Sequence, residues 1–330
     1  MAKNIAVLGS GSWGTAAAMI VRQNGHNVTL WSRNSEKSKK LSETFENSEY
    51  LPGVKLDKDI IFTDDIGCVY GKDIVVIATP SASVREISNK ISKIINPSCI
   101  IVVLAKGLEQ GSYKTMSEVI EDECKGAKIA VMSGPSHAEE VALGMPTLNV
   151  VASQDEFVAK KVQDAFMNKT FRIYSSRDVK GVELGGALKN VIALCAGVTD
   201  GIGFGDNTKA ALMTRGIAEI ARLGTKLGAE ADTFWGLSGI GDLIVTCTSM
   251  HSRNRRAGIL IGKGKTAEQA QKEVRMVVEG ITTAKAAYEL AQKNNVEMPI
   301  VSAAYDVLYN GANPKDAITN LMLRDKKAED

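Results

Sequence analysis

Aromatic side chains are scarce, 5% of 330 residues. That is too few to line a groove with stacking platforms for single-stranded nucleic acid. Neither charge is in excess. Forty Lys and Arg stand against 38 Asp and Glu, a formal net charge of +2, and no long block carries one sign. The summed field is too weak to recruit nucleic acid or an anionic bilayer as a general partner. The three histidines, His26, His137 and His251, have no metal-ligand spacing to one another or to Cys, so no metal site is expected. The five cysteines, Cys68, Cys99, Cys124, Cys195 and Cys247, form no CxxC pair and are odd in number. Most sit among apolar neighbours, as in Leu194-Cys195-Ala196, and read as reduced core residues of a cytoplasmic protein. No apolar run approaches the ~18 residues of a spanning helix. The N-terminus enters a strand pattern at once, over residues 3–9. Neither membrane insertion nor a signal peptide is therefore expected.

What is present is an ordinary globular composition, 44% hydrophobic and 24% charged. At roughly 150 residues per domain, the length suggests two domains. The first half alternates apolar runs with helical patterns. Strands are expected at Ile5–Leu8, Val28–Trp31, Ile74–Ala78, Ile100–Ala105 and Ile129–Met132. They are β-branched and apolar on both faces, as in a parallel sheet covered by helices. Helices are expected near 12–24, 81–95 and 112–123, and further strands at Leu148–Ala152 and Phe171–Tyr174. This alternation predicts a doubly wound α/β sheet over residues 1–178. From Val179 the strand signals fade, and residues 179–330 read as an all-α domain. Its helices are expected over 180–198, 207–227, 242–249, 253–262, 267–275, 280–293, 299–309 and 314–322. Asn313, Pro314 and Asp316 supply start chemistry for the last, and Thr266 with Gln269 fits a capping box. The charged tail from Arg324 is expected to fray.

Residues 9–14 read GSGSWG, the pattern GxGxxG, at the end of the first strand and the start of the first helix. In that context it is a dinucleotide fingerprint of the Rossmann type. Gly9 permits the tight turn, Gly11 lets the backbone approach a pyrophosphate, and Gly14 lets helix and strand pack closely. The free N–H groups of the helix start face the phosphates. The second strand ends Leu30-Trp31-Ser32-Arg33-Asn34, without an acid for a ribose 2′-OH until Glu36. Arg33 is suited to a 2′-phosphate, so NADPH is expected to be tolerated or preferred over NADH. The plainer reading, that Arg33 is a solvated surface side chain, stays open.

In the helical half, residues 182–192 hold Gly185 and Gly186 within a helical period, at a cost of about 1 kcal/mol each relative to Ala. The neighbours of Lys189 at helical spacing are small and apolar. Lys189 either lies in a poorly solvating pocket, with its pKa lowered toward an acid–base catalyst's range, or snorkels to water. Asp242 and Thr246 share one helix face, four residues apart. Asp242 either holds an ammonium or merely caps a helix. Ser252-Arg253-Asn254 combines an N-cap with Arg at a helix start, a ready phosphate site or else a solvated basic turn.

Taken in order, GSGSWG (9–14), AKGLE (105–109), SGPSHAEEV (133–141), ELGGALKNVIAL (183–194), GLSGIGDLIVTCTS (236–249) and SRNRR (252–256) resemble the bacterial NAD(P)-dependent sn-glycerol-3-phosphate dehydrogenases. The resemblance runs over about residues 3–320. It implies interconversion of dihydroxyacetone phosphate and sn-glycerol 3-phosphate, a helical domain like the C-terminal domain of 6-phosphogluconate dehydrogenase, and a role in glycerophospholipid synthesis. It also implies a homodimer. Lys189 matches the family's proton donor and acceptor, with Asp242 and Thr246 beside it. Lys106, Gly134, Ser136, Lys189, Asp242, Ser252, Arg253 and Asn254 match substrate-contacting positions. With Gly9, Gly11 and Gly14, residues Ser12, Trp13, Arg33, Tyr50, Lys106, Ala138, Arg253, Val277 and Glu279 match the cofactor side. Two other readings share the architecture: a β-hydroxyacid or ketopantoate reductase, and a non-catalytic NAD(P) sensor. The Ser252–Asn254 site, suited to phosphate, speaks against the first, and Lys189, Asp242 and Thr246 together speak against the second.

Overall fold

The computed structural model describes every residue except Lys327 and Asp330. Chain order in the first half is β1 (Asn4–Leu8), α1 (Ser12–Gln23), β2 (Asn27–Trp31), α2 (Ser35–Thr44), β3 (Ile61–Thr63), β4 (Ile74–Ile77), α3 (Val84–Ser92), β5 (Ile100–Val103), α4 (Met116–Glu123), β6 (Lys128–Ser133), α5 (Ala138–Ala142), β7 (Thr147–Ala152), α6 (Glu156–Phe166) and β8 (Phe171–Ser176). The strands form one sheet in the order β3-β2-β1-β4-β5-β6-β7-β8. Every residue of β4 and β5 is buried, because helices cover both faces and no polar side is tolerated. In the register, Ile5 stands opposite Ile74 and Val76 opposite Val102.

All the strands expected from sequence are present, and four features depart from the reading. β7 runs antiparallel to β6, so the sheet is mixed rather than wholly parallel. The apolar content of a strand does not encode its direction. β3 is a three-residue strand whose residues are half-buried or exposed, too short to show an alternation. Helices α2, α5 and α6 lie in stretches for which no helix was expected. Of the ten residues of α2, only Ser38 and Leu41 are buried, so α2 carries almost no apolar period. At the N-terminus of α4 a capping box of Thr115 and Glu118 sets the start later than the periodicity suggests.

The second half continues as α7 (Val179–Ile202), α8 (Asp206–Lys226), α9 (Asp242–Thr248), α10 (Arg253–Gly262), α11 (Ala267–Val274), α12 (Glu279–Lys293), α13 (Pro299–Tyr309) and α14 (Pro314–Met322). No strand occurs here among the described residues. The start signals act as read: Asn313 accepts from Lys315 and Asp316 N–H, and Thr266 with Gln269 forms a reciprocal box. The tail expected to fray lies partly outside the described residues, and its described part carries no helix.

Helix α7 corrects one expectation. Its 24 residues are long and apolar enough to cross a membrane, with a mean hydropathy of 1.3 over an 18-residue window, but 89% of that window is buried inside the protein. Glu183 and Lys189 interrupt the run without lowering its average enough. α7 is the core helix of this half, and its neighbours wrap it. The closest is α10. A Cβ at Gly197 would stand 2.0 Å from the Arg255 carbonyl oxygen, and one at Gly258 would stand 2.0 Å from the Leu194 carbonyl oxygen. Gly201 and Gly262 face Ile259 and Val198 in the same reciprocal way, at 2.3 Å each. Four glycines thus bring two backbones together. They fix the start of α10, with Arg253, relative to Lys189 on α7.

Candidate active site

A cleft of about 770 Å³ opens at the carboxyl ends of β1, β2, β4 and β5 and is closed on its other side by α7, α10 and α12. This is the crevice where doubly wound sheets bind ligands, and its volume suits a cofactor with a small substrate. The turn after β1 forms one wall. Gly9 has φ +117°, and a Cβ there would meet the Ala78 carbonyl oxygen at 2.8 Å. A Cβ on Gly14 would lie 1.8 Å from the Gly9 carbonyl oxygen. Gly11 differs, since a Cβ there meets nothing within 4 Å although the residue lines the cleft. The space its missing side chain leaves is the approach a pyrophosphate needs. The cradle fits a dinucleotide.

The glycines therefore separate by experiment. Gly11 caps α1 with φ −74°, a conformation Ala adopts freely. Gly11→Ala is expected to leave the melting temperature nearly unchanged and to weaken nucleotide binding at least tenfold. Gly14→Ala is expected to unfold the turn and lower the melting temperature markedly. Thermal unfolding beside nucleotide titration checks both, and equal effects at the two positions would contradict the assignment.

Across the cleft, α7 and α9 build a charged cluster. Lys189 is 6% exposed and Asp242 1%. The Lys189 ammonium donates to Asp242 Oδ1, and to Thr246 Oγ1 at 2.6 Å. The Thr246 hydroxyl donates its own proton to the Asp242 carbonyl at 2.6 Å, so it can only accept from Lys189. Lys106, just past β5, donates to Asp242 Oδ2 at 2.6 Å and to the Gly134 carbonyl at 3.2 Å. Burial pushes Lys189 down to about 8, Asp242 pulls it back up, and the second ammonium of Lys106 opposes that. For Asp242, burial pushes upward, but Lys106 and Lys189 outweigh it and hold the carboxyl below its ordinary value. Two of the three Lys189 N–H bonds are taken, and the residue lines the cleft. The pocket alternative for Lys189 is the one realised.

Comparison with known proteins bears on this geometry. The N-terminal model of the NAD-dependent glycerol-3-phosphate dehydrogenases matches residues 4–159, and their C-terminal model matches residues 178–319. The chain belongs to this family. It is 52% identical over 328 residues to the glycerol-3-phosphate dehydrogenase (NAD(P)+) of Fusobacterium nucleatum, covering 98% of each chain. It is 54% identical over 326 residues to that of Thermoanaerobacter sp., again over 98% of each. The crystal structure of glycerol-3-phosphate dehydrogenase from Coxiella burnetii superposes with a TM-score of 0.94 at 35% identity, over 98% of this chain and 99% of the other. Membership makes the chain an NAD(P)-dependent oxidoreductase, an enzyme rather than a sensor.

Within this family member, most residues singled out by sequence line one cleft: Gly9, Gly11, Ser12, Trp13, Arg33, Tyr50, Lys106, Ser136, Ala138, Lys189, Thr246, Ser252, Arg253, Asn254, Val277 and Glu279. Gly14, Gly134 and Asp242 stand behind its wall. Gly134 is pressed on Asn149, its carbonyl accepting from Lys106 and from Ser136 Oγ at 2.9 Å. Asp242 has both carboxylate oxygens occupied by lysines. Glu279 accepts from Ser81 N–H at 3.0 Å and Ser81 Oγ at 2.6 Å, tying α12 to the loop after β4. The Asn254 side chain donates to Asn190 Oδ1 at 2.9 Å and accepts from Gly280 N–H at 2.8 Å. Asn190, His137 and Lys37 also line the cleft and were missed. Asn190 follows Lys189 directly, which was the available signal. His137 is held below the usual histidine range by burial and then by Lys189.

Proposed function

We propose that the chain reduces dihydroxyacetone phosphate to sn-glycerol 3-phosphate, reversibly, with NADPH or NADH, and that Lys189 is its proton donor and acceptor. The observation that carries this is the Lys189 ammonium, held by Asp242 and Thr246 at the cleft, in one cavity with the glycine cradle and Arg253. The cradle, Arg33, Tyr50, Ala138, Val277 and Glu279 would hold the cofactor, which when bound supplies or takes the hydride at C2. Ser252 Oγ accepts from Arg255 N–H at 3.2 Å, leaving the first N–H groups of α10 free. Together with the Arg253 guanidinium they bind the substrate phosphate. Lys189 Nζ hydrogen-bonds the C2 carbonyl oxygen and gives it a proton as negative charge develops there, while Lys106 adds positive potential. In the oxidative direction neutral Lys189 accepts the C2 hydroxyl proton. Asp242 and Thr246 fix the amine in the orientation both steps need.

The reading places the nucleotide-binding part at residues 1–178 and the helical substrate part at 179–330, with β8 ending at Ser176 and α7 beginning at Val179. It also places the enzyme in the cytoplasm as a homodimer supplying glycerophospholipid synthesis. Steady-state oxidation of NADPH and NADH with dihydroxyacetone phosphate, beside unphosphorylated 2-keto acids, tests it. Turnover is expected with the phosphorylated ketone alone, and turnover of ketopantoate instead would favour the related reductase. Arg253→Ala is expected to raise KM for dihydroxyacetone phosphate at least tenfold, the scale of a lost charge-assisted hydrogen bond. An unchanged KM would remove Arg253 from phosphate binding.

A further inference from the structure

One cation of the cleft has no task in the reaction described above. Lys37 lies in the first turn of α2, lines the cleft, and has only 19% of its side chain exposed. Its ammonium is parked 3.7 Å from the centroid of the Tyr50 ring. The carboxylate of Glu49 is 3.8 Å away, beyond hydrogen-bond length. Burial lowers the Lys37 pKa, and Glu49 only partly offsets that. With its ion pair to Glu49 stretched to 3.8 Å, a partly desolvated ammonium gains from a second, closer anion.

The surroundings identify that anion. Lys37 shares the β2 end of the cleft with Arg33, where an acid would bind the ribose 2′-OH of NAD. Two polar groups beside them are engaged locally. Asn34 accepts from Lys37 N–H at 2.9 Å, and Ser32 Oγ accepts from Asn34 N–H at 3.3 Å. Two cations therefore face the cleft there with no acid lining it between them. Arg33 is solvent-exposed, so its attraction is screened and weak. The Lys37 ammonium is shielded and already ordered over a ring, so less is lost when it binds.

We propose that Lys37 is the specificity-determining residue of the cofactor site, binding a ribose 2′-phosphate with Arg33 so that the enzyme prefers NADP(H) to NAD(H). The proposal rests on the cofactor reading given under the proposed function. It makes Glu49 a competitor, an acid that draws the ammonium away from the phosphate.

Calorimetric titration of the full chain with 2′,5′-ADP and with 5′-AMP tests this without turnover. The unaltered protein is expected to bind 2′,5′-ADP at least about tenfold more tightly than 5′-AMP. Lys37→Met keeps the stem on Tyr50 and is expected to erase most of that ratio while leaving the 5′-AMP affinity in place. Glu49→Gln is expected to tighten 2′,5′-ADP alone. A preserved ratio in Lys37→Met, or equal loss for both nucleotides, would overturn the assignment. So would equal binding of the two nucleotides by the unaltered protein. If that protein bound neither, the cofactor reading itself would fall, and the Lys37 assignment with it.

Discussion

Lys189→Ala is expected to lower kcat for dihydroxyacetone phosphate reduction by at least two orders of magnitude, the scale of positioned acid–base catalysis, while nucleotide binding survives. The cradle that would hold the pyrophosphate is built on β1 and α1 and has no part in α7. The lysine also sets the pH dependence. With a value near 8 in the free enzyme, reduction needs the ammonium. Its kcat/KM should therefore be flat at lower pH and fall as pH rises through about 8. Oxidation needs the neutral amine and should rise through the same interval. The neighbours move that midpoint in opposite directions. Lys106 lowers the Lys189 value, so Lys106→Met should shift the midpoint upward. Asp242 raises it, so Asp242→Asn should shift the midpoint downward. Rate profiles of both directions across pH 6–10 check this. Near-normal turnover in Lys189→Ala, or a midpoint indifferent to Lys106, would remove this lysine from the reaction.

How much of this was legible in the sequence varies by residue. The fingerprint was, because its glycines sit between an apolar strand run and a helical period; Gly9 and Gly14 are pressed on backbone as that pattern requires, and Gly11 leaves open space. The helices of the second half were, because caps such as Asn313 and Thr266 act locally. The pairing of Asp242 with both Lys106 and Lys189 was not. The first pair is separated by 136 positions and the second by 53, and only the closed fold decides that Asp242 faces two ammonium groups rather than a helix end. Gly197, Gly201, Gly258 and Gly262 are plain in the sequence, but their role requires two helices to cross at contact. Lys37 looks like one more lysine of a polar helix until Tyr50 is placed beneath it. Local chemistry is written in neighbouring residues, and long-range electrostatics is not.

Asp242→Asn is expected to cost about 3 kcal/mol of stability at pH 7, the lower end of the range for breaking a buried ion pair. Asn keeps the shape and one acceptor but removes the charge that two ammonium groups share at 1% exposure. The cost stays at the lower end because Lys189 can shed its proton. Its folded value, already below the ordinary lysine value of 10.5, falls further when the carboxylate goes. The sign of the pH dependence follows. Lys189 binds its proton more weakly folded than unfolded, so at pH 7 the unaltered protein keeps a charge that only Asp242 makes tolerable. Above about pH 8 that lysine is neutral in the unaltered protein too, and removing the carboxylate then costs only its pairing with Lys106. The difference in stability between Asp242→Asn and the unaltered chain should therefore be largest at neutral pH and smaller at pH 9. Urea unfolding of both proteins at the two pH values measures it, with the slope against urea expected to be unchanged. A difference that stays constant from pH 7 to pH 9 would show that Lys189 does not titrate in this interval, and the catalytic assignment would lose its physical basis.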